Sequence, residues 1–246
     1  MGEGRDEGGS VGRGETVAGD AAGRGGGVRV LSVNVGRPRP NPWKRLPATG
    51  IDKRPVAGPV AVTVPGPKGD GAVGLAGDRV YDLKHHGGTD QAVYAYARED
   101  LDGWERELGR TFSAGFFGEN LTTAGLDVNA ALIGERWRIG STVLEVSCPR
   151  VPCATFAGWL DEHGWMRRFT QAAVPGAYLR VIEPGHITAG DAITVLARPT
   201  DHEVTVALSF RAMTTEPELL PLLVDVAALP AAERAAIRQR LARGGR

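Results

Sequence analysis

From Val28 to about residue 198, the apolar residues come in short runs separated by glycine- and proline-bearing turns. A chain punctuated this way must reverse often, which favours many short strands over a parallel α/β sheet. VRVLSVNVG opens the series with β-branched Val28, Val30, Val33 and Val35. PVAVTV follows inside a proline-rich stretch from Arg37 to Pro67, and AVYAYAR comes next. RWRIG and STVLEVSC read as a hairpin turning at Gly140-Ser141, with Leu144, Val146 and Cys148 on one face by the period of two. GAYLRVIE and AITVLARP close the set. Leu101, Trp104 and Leu108 recur at helical spacing, predicting a helix over Arg98–Leu108 that ends at Gly109. HGWMRRFTQAA predicts a second helix. The expected architecture is mainly β with some α, a closed or nearly closed barrel over residues 28–198.

The flanks differ. Residues 1–27 carry glycine and mixed charge with almost no large apolar side chain, so they are expected to be disordered. Residues 199–246 show helical apolar spacing, with Pro217 and Pro230 placed to start helices, and predict a small C-terminal helical domain.

Charge narrows the function classes. The 29 basic residues balance 29 acidic ones, which is not the footprint of a nucleic-acid binder, so no nucleic-acid partner is expected. No long apolar stretch or apolar leader core is present, which predicts no membrane partner and a cytoplasmic protein. Only two cysteines occur, Cys148 and Cys153, too few for a disulfide scaffold and consistent with a reducing compartment.

Three segments can carry chemistry. LKHHGGTDQAVYAY, from Leu83 to Tyr96, places Lys84, His85 and His86 before two glycines at the entry to a strand, with Asp90 able to orient an imidazole. Its plain alternative is a turn with surface histidines. FFGENLTTAG, from Phe116 to Gly125, offers Asn120, Thr122 and Thr123 as neutral donors and acceptors. Its alternative is a turn whose polar side chains serve the local backbone. SCPRVPC, from Ser147 to Cys153, holds two thiols around Arg150, whose positive charge favours a thiolate. Cys148 falls on an apolar strand face and Cys153 in the loop beyond Pro152, so Cys153 is the functional thiol expected. A Cys–His hydrolase or a zinc site built from His85, His86, Cys148 and Cys153 would use the same residues.

In their order along the chain, KHHGGTDQAVYAY, FGENLTTAG, IGERWRIGSTVLEVSCPRVPC and VIEPGHITAGDAITV resemble the MOSC domain family, and within it the YiiM-like bacterial branch. The resemblance covers roughly residues 28–198, and the C-terminal segment resembles the three-helix unit that often follows it. It implies a barrel that binds a molybdenum cofactor, a Mo-pyranopterin. Cys153 is the implied metal ligand to molybdenum, and Cys153 and His86 the implied catalytic residues. Lys84, His86, Asn120, Thr122, Thr123 and Arg150 are the implied cofactor-binding residues. The resemblance further implies reduction of a small N-hydroxylated substrate, N–OH to N–H. Two cysteines cannot ligate a Cys₄ cluster, so an external electron-transfer protein is the expected partner. A non-catalytic molybdenum-cofactor or sulfur carrier is the alternative.

Overall fold

The computed structural model describes Met1 and residues 27–244. Residues 2–26, where the disordered leader is expected, lie outside the described residues. Strand β1 (Arg29–Asn41) turns into β2 (Leu46–Pro55), followed by β3 (Val60–Val62), β4 (Val93–Ala97) and helix α1 (Arg98–Leu108). Next come β5 (Leu121–Ala124), β6 (Arg136–Ile139), β7 (Thr142–Pro149), α2 (Ala154–Leu160) and α3 (Trp165–Ala172). Strands β8 (Ala177–Glu183), β9 (Gly185–Ile187) and β10 (Ile193–Ala197) lead to α4 (Val206–Thr214), a 3₁₀ segment at Pro217–Leu223 and α5 (Ala231–Gly244).

The expected elements form where their patterns lie. Helix α1 has the predicted limits and stops at Gly109, whose φ of 64° lets its N–H reach the Glu105 carbonyl. The β6–β7 hairpin turns at Gly140-Ser141. Pro217 opens the 3₁₀ segment and Pro230 immediately precedes α5. Strands β2, β5 and β9 and helix α2 go unseen in the pattern. Strand β2 (LPATGIDKRP) is proline-bearing and weakly alternating, which an outermost strand tolerates because only one side needs its N–H groups. Strand β5 has only four residues and helix α2 only seven.

Eight strands form one sheet in the order β10-β6-β7-β8-β4-β5-β1-β2, and β3 pairs with β9 separately. The β4–α1–β5 connection makes the sheet's one parallel pair among the described strands. The expected closed barrel is not formed. Strand β10 pairs only with β6, and β2 only with β1. The sheet curls far enough for one bridge, Arg29 with Ala192, and for Ile193 N–H to meet the Val28 carbonyl at 2.9 Å. There the Gly190–Asp191 turn takes up the Val30 backbone groups, so the contact stays a single bridge rather than a ladder. Closure fails because the last stretch of β1 leaves the curl to pair with β2.

Two apolar clusters fill the molecule. One lies inside the sheet and includes Val33, Trp137, Leu144 and Leu179. The C-terminal helices share it through Val206, Leu223, Leu229 and Ile237. The other is aromatic, packs α1, α2 and α3 against β4, and includes Tyr96, Trp104, Phe117, Phe156, Trp165 and Phe169.

Glu233 of α5 is largely buried near the Cys148 thiol of β7, and one of its carboxyl oxygens has no hydrogen-bond partner. Burial raises the Glu233 pKa from the ordinary 4.5 to about 7, against the opposing effects of Cys148 and Lys68. A carboxyl whose folded pKa is raised holds its proton longer when folded, so its penalty on stability grows as pH rises from 4.5 to about 7. Glu233→Gln is therefore expected to gain on wild type over that window and keep a constant lead above it. Urea midpoints at pH 5 and pH 8 check this; an equal difference at both pH values would contradict it.

Candidate functional site

Strand β7 runs out at Pro149, and the chain passes through Arg150 to Cys153 before α2 begins. The two prolines hold this connection extended, because a residue preceding proline is pushed out of the helical region. Cys153 has φ −130° and ψ 167°, and its carbonyl accepts the Ala157 N–H at 2.9 Å, the first turn of α2. Its side chain is half-buried and faces a cleft of about 830 Å³, open mouth included.

Arg150, His86, Gln91, Asn120, Tyr94 and Tyr178 line the same cleft. The buried Arg150 guanidinium stacks 3.9 Å from the Phe156 ring centroid and 5.0 Å from that of Tyr94. One of its terminal nitrogens donates to the Phe117 carbonyl. Burial works against its charge, yet Tyr94, Tyr178 and Cys153 together hold its pKa above the usual guanidinium value. Its Nε is buried without a hydrogen-bond partner, and so is the side-chain carbonyl of Gln91. One unused donor and one unused acceptor thus sit on the wall of one cleft.

The histidine pair divides its roles. His86 lines the cleft and its Nδ1 lies 3.5 Å from the Tyr178 hydroxyl. Burial first, then repulsion from Arg150, lowers its pKa to about 4, so its imidazole is neutral at pH 7. His85 is exposed and its Nδ1 meets Asp82 at 2.8 Å. Burial alone would raise the Asp82 pKa, but Lys44, His85 and His86 bring it down to about 2. The acid expected to orient a histidine, Asp90, instead meets Arg180 at 2.6 Å, and Asp82 takes that place. Gly88 lets the loop turn inward: its φ is 78°, and a Cβ there would lie 2.7 Å from the Lys68 Cα.

A buried polar frame supports the far wall. Lys53 and Asp78 pair at 2.5 Å, and Asp78 also accepts from the Gly36 N–H at 2.7 Å and the Asn120 amide at 2.8 Å. Burial pushes the Asp78 carboxyl up, but Lys53, Asn120 and Gly36 outweigh it and hold the pKa below the ordinary 3.8. Asn120 accepts the Tyr94 N–H at 3.1 Å and donates to the Asn34 carbonyl at 3.2 Å, so its side chain is fully engaged by the protein. Glu119 is wholly inside, its pKa raised by burial, and accepts from the Gly115 N–H and the Thr122 hydroxyl.

Of the residues singled out in the sequence, the fold brings Cys153, Arg150, His86 and Asn120 together. Lys84 is exposed and does not line the cleft. Thr122 and Thr123 are buried in β5, where Thr122 bonds the side chains of Glu119 and Asn34 and Thr123 the Tyr96 carbonyl, so their hydroxyls meet other parts of the protein rather than the local backbone. Cys148 is fully buried, and burial lifts its thiol pKa well above the ordinary value. Among the described residues, no group of three or more His, Cys, Asp or Glu is placed to hold a metal ion, so the four-ligand zinc arrangement does not assemble. No hydrogen bond joins Cys153 to His85 or His86 among the described residues, as a Cys–His nucleophile pair would need. Lys53, Asp78, Asp82, Gln91 and Tyr178 are missed from sequence. Gln91 lies inside the histidine motif and Asp82 directly precedes it, and that position is the only signal that marks them.

The donor set fits a large polar heterocycle carrying a soft metal. Cys153 supplies the one soft ligand, Arg150 an unused cationic donor, and Gln91 an unused acceptor.

Comparison with known proteins bears on the family and the fold. A MOSC domain family model matches residues 82–194. The chain is 36% identical over 171 residues to the Bacillus subtilis protein YflK, covering 69% of this chain and 73% of that one. It is 30% identical over 171 residues to a Gibberella moniliformis protein named "Reductase", covering 66% of this chain but 30% of the longer one. The crystal structure of YiiM from Geobacillus stearothermophilus superposes with a TM-score of 0.70 at 29% identity, over 87% of this chain and 99% of that one.

Proposed function

This chain belongs to the MOSC domain family, and from that premise we propose that it is a molybdenum-cofactor-dependent oxidoreductase that reduces N-hydroxylated compounds, N–OH to N–H. MOSC domains are associated with molybdenum-cofactor binding, and a relative carries the name reductase. The observation that carries the proposal is the meeting of four features in one cleft. They are the Cys153 thiol, the unpartnered Arg150 Nε, the unpartnered Gln91 carbonyl and the neutral His86.

When bound, the cofactor would supply two-electron redox chemistry at its metal. Cys153 would hold the metal through its thiolate sulfur. Arg150, fixed by two aromatic faces and the Phe117 carbonyl, would neutralise anionic charge with no reorganisation of its own. Gln91 would accept from a ring N–H, and Tyr94 and Phe156 keep water from the back of the guanidinium. His86 is neutral, so one ring nitrogen is a hydrogen-bond donor and the other an acceptor that can take up a proton, and the Tyr178 hydroxyl beside Nδ1 fixes how the ring presents itself. The overall reaction balances as R–NHOH + 2e⁻ + 2H⁺ → R–NH₂ + H₂O. With only two cysteines in the chain and no Cys₄ cluster to form from them, the electrons would come from a separate electron-transfer protein.

The test is turnover. Protein from a cofactor-making host is assayed with a panel of N-hydroxylated amines, amidines and bases, under a chemical reductant and then with candidate donor proteins. Reduction of at least part of the panel is expected. Full cofactor loading without turnover under any donor would replace the enzyme reading with that of a carrier.

A further inference from the structure

The β1–β2 hairpin lies before the stretch matched by the family model, yet it builds one wall of the cleft. Asn41, Leu46 and Ala48 face the same space as Cys153. The hairpin is interrupted where its tip begins. Its pairing register shifts between Arg37 and Arg39 and again between Pro40 and Asn41. Pro38 and Pro40 bring no N–H to the ladder at that point, and Pro42 follows in the turn. Two register breaks and missing donors within a few residues bend the strand and weaken its pairing there.

Beyond these breaks, the tip is held across the cleft rather than along its own sheet. On one side the Asn41 amide donates to the Thr155 hydroxyl of α2 at 3.2 Å. On the same side Trp43 packs on Gly158 so closely that a methyl group there would lie 2.1 Å from the indole Cδ1. Trp159 meets Trp43 edge-on at 6.4 Å and carries the Arg39 guanidinium 4.7 Å above its ring. On the other side Lys44 pairs with Asp82 of the histidine loop at 2.7 Å. Thr155 and Asp82 themselves line the cleft. The Asn41–Thr155 hydrogen bond is buried, Lys44–Asp82 is a partly exposed ion pair of the kind that is individually weak, and Trp43 is a single docked ring.

We propose that the hairpin tip, Asn41–Leu46, is a hinged wall that determines what size of molecule reaches Cys153. The tip closes when Trp43 seats on Gly158 and Lys44 pairs with Asp82, and it swings out at the Arg37–Asn41 register breaks. This rests on reading the Cys153 cleft as the functional site, and it is independent of which cofactor or substrate fills it.

The test uses the full-length, cofactor-free protein, made in a host without cofactor biosynthesis. Cys153 is alkylated with iodoacetamide, which is small, or with fluorescein maleimide, which is bulky. Rates are followed by mass spectrometry and referenced to the same reagents on N-acetylcysteine, and buried Cys148 serves as an internal check that the protein stays folded. In wild type the bulky reagent is expected to lag the small one. Lys44→Ala and Gly158→Ala are each expected to raise the bulky-reagent rate by about tenfold while moving the small-reagent rate by less than about twofold, as a shift toward a pre-existing open state would. Gly158→Ala raises helix propensity in α2, so unseating Trp43 is separable from melting the helix. Equal relative rates for both reagents in wild type, an unchanged ratio in both variants, or a parallel rise for both reagents would each overturn the proposal. Absence of molybdenum from the native protein would instead count against the cofactor reading and leave this result standing.

Discussion

Cys153→Ser is expected to purify with molybdenum reduced by more than about tenfold, since outer-shell changes alone typically cost about 10–100-fold in metal affinity and this one removes the ligand itself. A serine oxygen is harder and far less acidic than a thiol, so it replaces neither the charge nor the softness of the thiolate. Cys148→Ser is the matched control. Its thiol is fully buried in β7, away from the cleft lining, so that variant is expected to keep its metal. It also places a hydroxyl beside Glu233, so its stability is measured alongside. Reduction of N-hydroxylated compounds is expected to fall with metal content in Cys153→Ser. Equal metal content in both variants and wild type would remove Cys153 from the metal.

Lys53→Met is expected to destabilise the fold by about 3–5 kcal/mol, the range seen when one partner of a buried ion pair is removed. Lys53 and Asp78 are both almost wholly inside, and Asp78 ties together β1 through Gly36, β2 through Lys53 and the β5 lead-in through Asn120. Methionine keeps the stem's volume and leaves a carboxylate buried without its cation. Removing Asp78 as well would not restore wild-type stability, because the Gly36 N–H and the Asn120 amide would then lose their acceptor. The pH dependence follows from the lowered Asp78 pKa. A carboxyl whose folded pKa is depressed stabilises the protein above its ordinary pKa, and that contribution is lost as pH falls through the folded value. Without Lys53 that depression is removed, so the stability gap between wild type and Lys53→Met should be full near neutral pH and narrow as pH falls through the range where Asp78 takes up its proton. Urea titrations at pH 7 and an acid melt measure both effects. A loss below about 1 kcal/mol, the scale of an exposed pair, would contradict the role given to this frame.

What sequence reveals here depends on how local the signal is. Helix α1 declares both ends, through Leu101, Trp104, Leu108 and Gly109. The β6–β7 hairpin likewise carries its own turn. Strand β5 does not, because its four residues are polar in pattern and become a strand only by lying between β4 and β1. The same cause limits the reading of the site. Arg150, Cys153 and His86 sit in motifs with unusual local composition. Lys53 and Asp78 are 25 residues apart and ordinary in their surroundings, and only the fold makes them a buried pair. Thr122 and Thr123 show the converse, since a polar motif that suggests ligand contact is spent on the protein's own carbonyls and Glu119. The barrel expectation fails for a non-local reason too. Whether a curled sheet closes is decided by how its first and last strands meet, here by a single bridge.

If the Cys153 cleft holds a molybdenum cofactor, metal content must follow cofactor supply. Elemental analysis of wild-type protein purified in parallel from a host that makes the cofactor and from one that cannot measures this. Molybdenum is expected close to stoichiometric in the first preparation and absent from the second. Zinc at stoichiometric level, or no metal at all, in both preparations would contradict it.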